Sequence, residues 1–163
     1  MAAPFARRRD GGVDVTLGEP EAELFRSVVA QMDQVLEAPE GNPHTLRLFP
    51  PAYRDDPDAQ ADYARLMTGD LLDGKRGAVR SVAAAMDRGA VKKGTWRVRL
   101  SADEVQDWLA VLNDARLTLG TRLDVTEETY DREIDPDEPD AISHEIFRYL
   151  GYLEEWLVDA LMG

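Results

Sequence analysis

The sequence predicts an α+β domain that is mostly helical, in which a small antiparallel three-stranded sheet packs against a bundle of four to five helices. Apolar residues recur at spacings of three and four over most of the chain, which is typical of helices that bury one face. Two short segments instead alternate apolar and polar residues, as half-buried strands do. With 163 residues and 44% hydrophobic content, the chain is long enough for one core, so we expect a single domain over 1–163.

The first half of the chain predicts a hairpin followed by three helices. The hairpin is expected over about 4–17, where Asp10-Gly11-Gly12 provides the turn and Val13, Val15 and Leu17 alternate with polar residues. A helix over about 19–37 begins with Pro20 in its first turn. A connector rich in proline precedes two helices over about 58–72 and 75–88, and we expect the glycines of this region to interrupt the helix between them.

The second half is organised around a strong helix start signal. A strand is predicted over about 94–100, where Trp96, Val98 and Leu100 alternate with arginines. Ser101 and Glu104 then have the spacing of a capping box, which predicts a helix over about 101–119. Its apolar stripe, which includes Trp108, is expected to face the core. An acidic loop over 124–139 and a helix over about 140–162 complete the chain.

Two strand-to-helix units share the same offsets. Val15 to Phe25 and Val98 to Trp108 each run from a strand end through an acidic first turn to a helical aromatic residue. Two matches do not establish duplication, since any strand leading into a helix has this form. They do suggest that the third strand joins the hairpin in one sheet with both helices covering its apolar face.

Charge and composition exclude several classes of function. The absence of cysteine excludes disulfides, thiol nucleophiles and thiolate metal sites. A net charge of −13 disfavours nonspecific DNA binding, but the charge is uneven: residues 75–99 carry eight basic residues against one acidic residue, whereas 124–163 carry thirteen acidic residues against two arginines. No apolar run reaches the roughly 18 residues that span a bilayer, so we expect a cytoplasmic protein that does not contact a membrane.

Three segments of the sequence resemble known chemical motifs, but each lacks a residue that the motif requires. Gly69 to Arg76 has the glycine and lysine spacing of a phosphate-binding loop, but Arg76 occupies the place of the magnesium-binding Ser or Thr. His144-Glu145 lacks the second histidine of a zincin helix, and the acidic run 135–140 lacks the glycine and distal glutamate of a calcium-binding loop. We therefore expect no cofactor and no metal, and an enzyme is less favoured than a binding protein.

Several short segments of the sequence, taken together, resemble those of an actinobacterial family. They are Leu48-Phe-Pro-Pro-Ala-Tyr53, Tyr63-Ala-Arg-Leu-Met67, Trp108-Leu109, Leu112-Asn113-Asp114, Leu119-Gly-Thr-Arg-Leu123 and Tyr149-Leu-Gly-Tyr-Leu153. Spread over nearly the whole chain, they resemble the domain-of-unknown-function family numbered 2017. The resemblance implies a small cytosolic protein whose gene often lies near that of a Clp-protease adaptor, in a family for which a role in oxidative-stress transcriptional regulation has been proposed. The proposed redox mechanism of that family needs a cysteine pair, which this chain lacks, so the resemblance favours a cysteine-independent regulatory or adaptor role here.

Three functional hypotheses follow, each with its candidate residues. The leading one is a regulatory protein that binds protein partners of the transcription or proteolysis machinery, and any contacts with DNA or an acidic partner are expected at Arg7, Arg8, Lys92, Lys93, Arg97 and Arg99. The second is a ligand binder or enzyme with a polar site between the Leu48–Asp56 loop and Asn113–Arg122, formed by Tyr53, Asp55, Asp56, Asn113, Arg116, Thr121 and Arg122. The third is a structural homodimer. A partner or dimer surface is expected at Phe147, Tyr152 and Trp156.

Overall fold

The computed structural model describes residues 3–39, 43–45, 48–49 and 55–163, and the side chains of 63–68 are not considered. Four α-helices, one short 3-10 helix and one sheet make up these ranges. In chain order they are β1 (Phe5–Arg7), β2 (Val13–Gly18), α1 (Glu19–Glu37), the 3-10 helix (Pro43–Thr45), α2 (Pro57–Arg88), β3 (Ala90–Lys92), β4 (Thr95–Leu100), α3 (Ala102–Arg122) and α4 (Ala141–Met162). The mostly helical α+β class is confirmed.

The sheet has four antiparallel strands in the order β1-β2-β4-β3, so the expectation of three strands was wrong by one. The additional strand, β3, has only three residues and therefore shows no alternation that a sequence pattern could reveal. Its turn into β4 is formed by Lys93 and Gly94, with φ values of 54° and 77°. Two consecutive residues with positive φ give the tight turn whose twist matches that of antiparallel strands.

One face of the sheet forms a wall of the core. Val15 lies opposite Val98, and Leu17 opposite Trp96, in the central pair of strands β2 and β4, and all four side chains are buried. Trp108 of α3 packs beneath them, with its ring centroid 6.5 Å from that of Trp96 and 5.0 Å from that of Phe25 in α1. The two predicted strand-to-helix units, β2–α1 and β4–α3, thus share one aromatic centre.

Helix α2 is continuous over 32 residues, and the predicted interruption between 72 and 75 was wrong. It begins at the Asp56 cap, whose side chain accepts a hydrogen bond from the Ala59 amide, with Pro57 in the first turn. A glycine inside a helix costs only about 1 kcal/mol relative to alanine. Burial of Val79, Val82 and other apolar side chains of α2 outweighs that cost.

Helix α3 begins with the predicted capping box, in which Ser101 and Glu104 exchange side-chain to backbone hydrogen bonds. It continues to Arg122 rather than ending near 119, so Gly120 lies inside the helix and does not terminate it. A Cβ atom at Gly120 would stand 3.0 Å from the Phe147 ring of α4. The glycine is therefore explained by the close contact between α3 and α4.

None of the helices in the described part of the chain combines the length and the apolar character needed to cross a membrane.

The continuity of α2 predicts opposite effects of alanine at two glycines. A Cβ at the exposed Gly74 meets nothing within 4 Å, so Gly74→Ala is expected to raise the free energy of unfolding by roughly 0.5–1 kcal/mol through better helix propensity. Gly89→Ala is the matched control, because its Cβ would overlap the Trp96 ring and should destabilise the fold. Urea denaturation measures both, and destabilisation by Gly74→Ala would contradict an unbroken helix.

Candidate functional site

The outer face of the sheet is open to solvent because the buried side chains of its strands all belong to the opposite face. Arg97 and Arg99 alternate with the buried residues of β4 and are exposed. Arg99 has a side chain that is 75% exposed, with Nε 3.4 Å from Asp14 Oδ1. Lys92 and Lys93 are also exposed and lie at the β3–β4 turn. These four residues, the basic sheet face, form the part of the predicted basic cluster that remains available for a partner.

Arg7 and Arg8, in contrast, have structural contacts. Arg7 donates a hydrogen bond of 3.2 Å to the Leu161 carbonyl at the end of α4, where a cation also offsets the helix dipole. Arg8 is 18% exposed and donates to Asp14 Oδ1 and to the Leu100 carbonyl, both at 2.8 Å. It therefore ties the hairpin to the end of β4.

The predicted polar cluster is divided between different places. Asp55 precedes the Asp56 cap of α2, and Tyr53 lies outside the described residues. The Thr121 hydroxyl donates to the Leu117 carbonyl within α3. Asn113 and Arg116 line a shallow cleft facing 125–131, whereas Arg122 faces away from it and donates to Ser143 Oγ at 2.9 Å. Among the members of this set that the structure describes, the contacts do not converge on one site.

Arg116 joins α3 to the acidic loop and to α4. Its guanidinium donates to the Tyr130 hydroxyl at 2.8 Å and lies 3.5 Å from Glu154 Oε2. Its guanidinium carbon also lies 5.6 Å from the ring centroids of both Tyr130 and Phe147, which is within the range of cation–π attraction. Phe147 is 7% exposed, so its expected place on a partner surface was wrong: it packs in this cluster.

The exposed aromatic residues of α4 are Tyr152 and Trp156. Their rings stack with centroids 5.9 Å apart, and the residues are 54% and 42% exposed. Glu155 and Asp159 beside them are also exposed. We call these four residues the aromatic face. Tyr and Trp are enriched at the centres of protein interfaces, because each offers a large rigid contact area.

A buried ion pair between α2 and α3 is the polar feature that the sequence did not reveal. Lys75 Nζ lies 2.9 and 3.1 Å from the two carboxylate oxygens of Asp114, and the two side chains are 18% and 10% exposed. Asp114 stands among buried positions of the α3 stripe, and a lone carboxylate there was the available signal. The pair fixes α2 against α3 because burying either charge alone is costly.

The acidic loop is held by specific contacts. Arg132 makes two hydrogen bonds to the Glu138 carboxylate, at 2.9 and 3.0 Å, and Arg148 of α4 donates to the Arg132 carbonyl. The hydrogen bonds from Arg132 lower the pKa of Glu138 to about 2. Among the described residues no group of three or more His, Asp or Glu side chains could hold a metal ion.

The fold and its surfaces define a small α+β protein with an open sheet face and an exposed aromatic pair on α4. The chain belongs to the family described as Domain of unknown function (DUF2017), whose match covers residues 2–161. The predicted resemblance of its sequence segments to that family is confirmed. No solved structure is significantly similar to this chain.

Among characterised proteins, the chain is similar to two called "Oxidative stress regulator AosR", from Mycobacterium tuberculosis and Mycobacterium bovis. Each is 31% identical to it over 136 residues, which cover 76% of this chain and 60% of the relative. This chain thus matches little more than half the length of those relatives. It also has no cysteine, so a thiol switch cannot operate within it.

The buried ion pair predicts a strong effect of removing one partner. Asp114→Leu leaves the partly buried Lys75 ammonium without its carboxylate, and we expect the free energy of unfolding to fall by about 2 kcal/mol, the value of a hydrogen bond to a charged group. The double variant Lys75→Met with Asp114→Leu is the control, because it removes both charges and should recover much of that loss. Urea denaturation measures both variants, and equal stability of the single and double variants would contradict a buried pair.

The Arg132–Glu138 contact predicts an acid-sensitive loop. The folded pKa of about 2 lies below the ordinary value of 4.5, so the contact stabilises the folded state above about pH 4.5 and this contribution is lost as the pH falls toward 2. Carboxyl carbon chemical shifts measured against pH should place the Glu138 midpoint near 2. In Arg132→Gln the midpoint should rise toward 4.5, and an unchanged midpoint would exclude Arg132 as the cause.

Proposed function

We propose that this chain is a non-enzymatic regulatory protein of the cytoplasm that acts in a stress response by binding protein partners of the transcription or proteolysis machinery. The observation that carries the proposal is the aromatic face of α4. Stacked Tyr152 and Trp156 remain exposed, whereas the rings of Phe25, Trp96 and Trp108 are buried in the core. Such a pair makes a strong anchor for a partner, because burying it removes a large apolar area from water.

The names of the characterised relatives support the stress connection. Both are called oxidative stress regulators, and the match covers three quarters of this chain. Because this chain has no cysteine, we propose that it receives the stress signal through a partner rather than through its own thiols. The aromatic face is the proposed place where that partner binds.

The basic sheet face supports a second candidate function, contact with an anionic partner such as an acidic protein segment or DNA. Arg97 and Arg99 lie on one exposed face of β4. They are two residues apart, which is roughly 7 Å along a strand. This spacing suits contacts to phosphates or carboxylates. The net charge of −13 opposes DNA at long range. An acidic protein segment is therefore favoured over DNA.

A pair of surface variants tests the proposal. Tyr152→Ser with Trp156→Ser removes the aromatic face, and Arg97→Thr with Arg99→Thr removes charge from the sheet face with residues that suit a strand. In pull-downs from native lysate followed by mass spectrometry, the wild-type chain should capture a transcription or proteolysis component. The aromatic-face variant should lose it at least tenfold, while the sheet-face variant, as the matched control, should retain it.

Two further measurements define what would contradict these roles. If the captured proteins are unchanged in the aromatic-face variant, that face is not the binding surface. Light scattering over a concentration series tests the homodimer: a dimer that dissociates in the Trp156→Ser variant would assign the face to self-association instead. For DNA, gel-shift experiments at low salt should show no retardation that depends on Arg97 and Arg99; a retardation lost in their double variant would establish DNA as the anionic partner.

A further inference from the structure

We propose that a groove between α1, α3 and α4 binds a small amphipathic monocarboxylate, with its apolar chain against the helices and its carboxylate at Arg122. The groove has a volume of about 310 Å³ and is bordered on its remaining side by the 3-10 helix. Spaces between packed helices of this size are common sites for small ligands. The proposal goes beyond the proposed function, because it uses neither the aromatic face nor the basic sheet face.

More than half of the residues that line the groove are apolar. Helix α1 contributes Val28 and Met32, which are buried, and α4 contributes Ile146 and Leu150. Ala115 of α3 lies between them, and its small side chain leaves room there. An apolar chain in the groove would therefore exchange water for contacts with aliphatic side chains on three helices.

One buried polar group lines these walls. Thr118 is 9% exposed, and its hydroxyl has no hydrogen-bond partner among the described residues. A buried hydroxyl without a partner is unfavourable, since it has lost its bonds to water without replacement. A ligand oxygen in the groove would provide the missing acceptor or donor.

The carboxylate is assigned to the end of the groove where α3 meets α4. Arg122 donates to Ser143 Oγ, and no carboxylate of the described residues lies within ion-pair distance of it. Ser143 stands in the first turn of α4, which has no acidic residue and no side-chain cap from Asp140. An anion here would meet both a guanidinium and the positive end of a helix dipole.

The volume sets the size of the ligand. At roughly 30 Å³ for each water-sized volume, the groove holds about ten non-hydrogen atoms. Octanoate has that size and carries one carboxylate at the end of an apolar chain. Octanamide has the same shape without the charge, and acetate has the charge without the chain, so the three compounds separate the two parts of the proposal.

The first experiment measures binding of these three probes to the full chain by calorimetry, with amide chemical shifts to locate the site. Octanoate is expected to bind at least tenfold more tightly than octanamide, because a charged hydrogen bond to Arg122 is lost in the amide. Acetate should show no binding. The largest shifts should map to residues of α1, α3 and α4 that line the groove, including Thr118 and Ser143.

Variants then separate the groove from the surface. Ser27 is exposed at the rim of the groove, so Ser27→Phe should fill it without disturbing the core and should abolish binding. Arg122→Gln should weaken octanoate about tenfold and leave octanamide unchanged. Arg97→Gln is the matched control, since it removes an arginine of the distant sheet face, and it should not change either affinity.

Any of three results would overturn the proposal. The first is that octanoate does not bind the folded wild-type chain, shown by the absence of heat and of shifts at millimolar concentration. The second is that octanamide binds as tightly as octanoate, which would remove the assigned role of Arg122. The third is that Ser27→Phe, with an unfolding midpoint equal to that of the wild type, binds octanoate with unchanged affinity, which would place the ligand elsewhere.

Discussion

The structure depends on the packing of Trp108 between the sheet and α1. The ring of Trp108 contacts Trp96 of the sheet on one side and Phe25 of α1 on the other, with Phe5 of β1 meeting its edge at a centroid distance of 6.4 Å. Four elements from two distant parts of the chain, 5–37 and 95–122, therefore share one aromatic cluster. Because large aromatic side chains dominate the energetics of a core, the register of β4 and the placement of α1 and α3 follow from this cluster. Substitution of Trp108 would remove the side chain against which the sheet and α1 both pack.

This arrangement places the helices on one face of the sheet. The other face is uncovered and carries charged side chains. Asp14 lies opposite Arg99 across the central strand pair, and Asp14 also accepts from Arg8. The arginine side chains therefore serve two purposes: some neutralise the acid at the centre of the face, whereas Arg97 stays exposed. The basic sheet face thus has a structural explanation as well as a possible partner.

The parts of the fold that follow from local physics could be predicted from the sequence. The capping box at Ser101 and Glu104, the alternation of Trp96, Val98 and Leu100, and the helical stripes needed only the period of each element. The errors arose where tertiary packing decided the outcome. The end of α3 was predicted near 119, whereas the helix runs on through Gly120, whose contact with Phe147 is invisible in the sequence. The contacts of the candidate polar residues could not be read from the sequence, which does not show that Arg116 meets Tyr130 and Glu154 while Arg122 meets Ser143. The Asp114–Lys75 pair could have been suspected, since a carboxylate on a buried stripe requires a partner.

The long separation between the two central strands has a consequence for how the chain reaches its fold. The bond from Arg8 to the Leu100 carbonyl joins residues 92 positions apart, and β2 finds its central partner only in β4. Contacts between distant segments slow folding, because the intervening chain must be ordered before they form. During synthesis, β1, β2 and α1 leave the ribosome well before their partner strand exists. Until residues 95–122 are available, the edge of β2 that pairs with β4 is unpaired, and the part of the apolar face that Trp108 of α3 covers is exposed. The newly made N-terminal segment is therefore most open to aggregation or to a chaperone before those residues emerge.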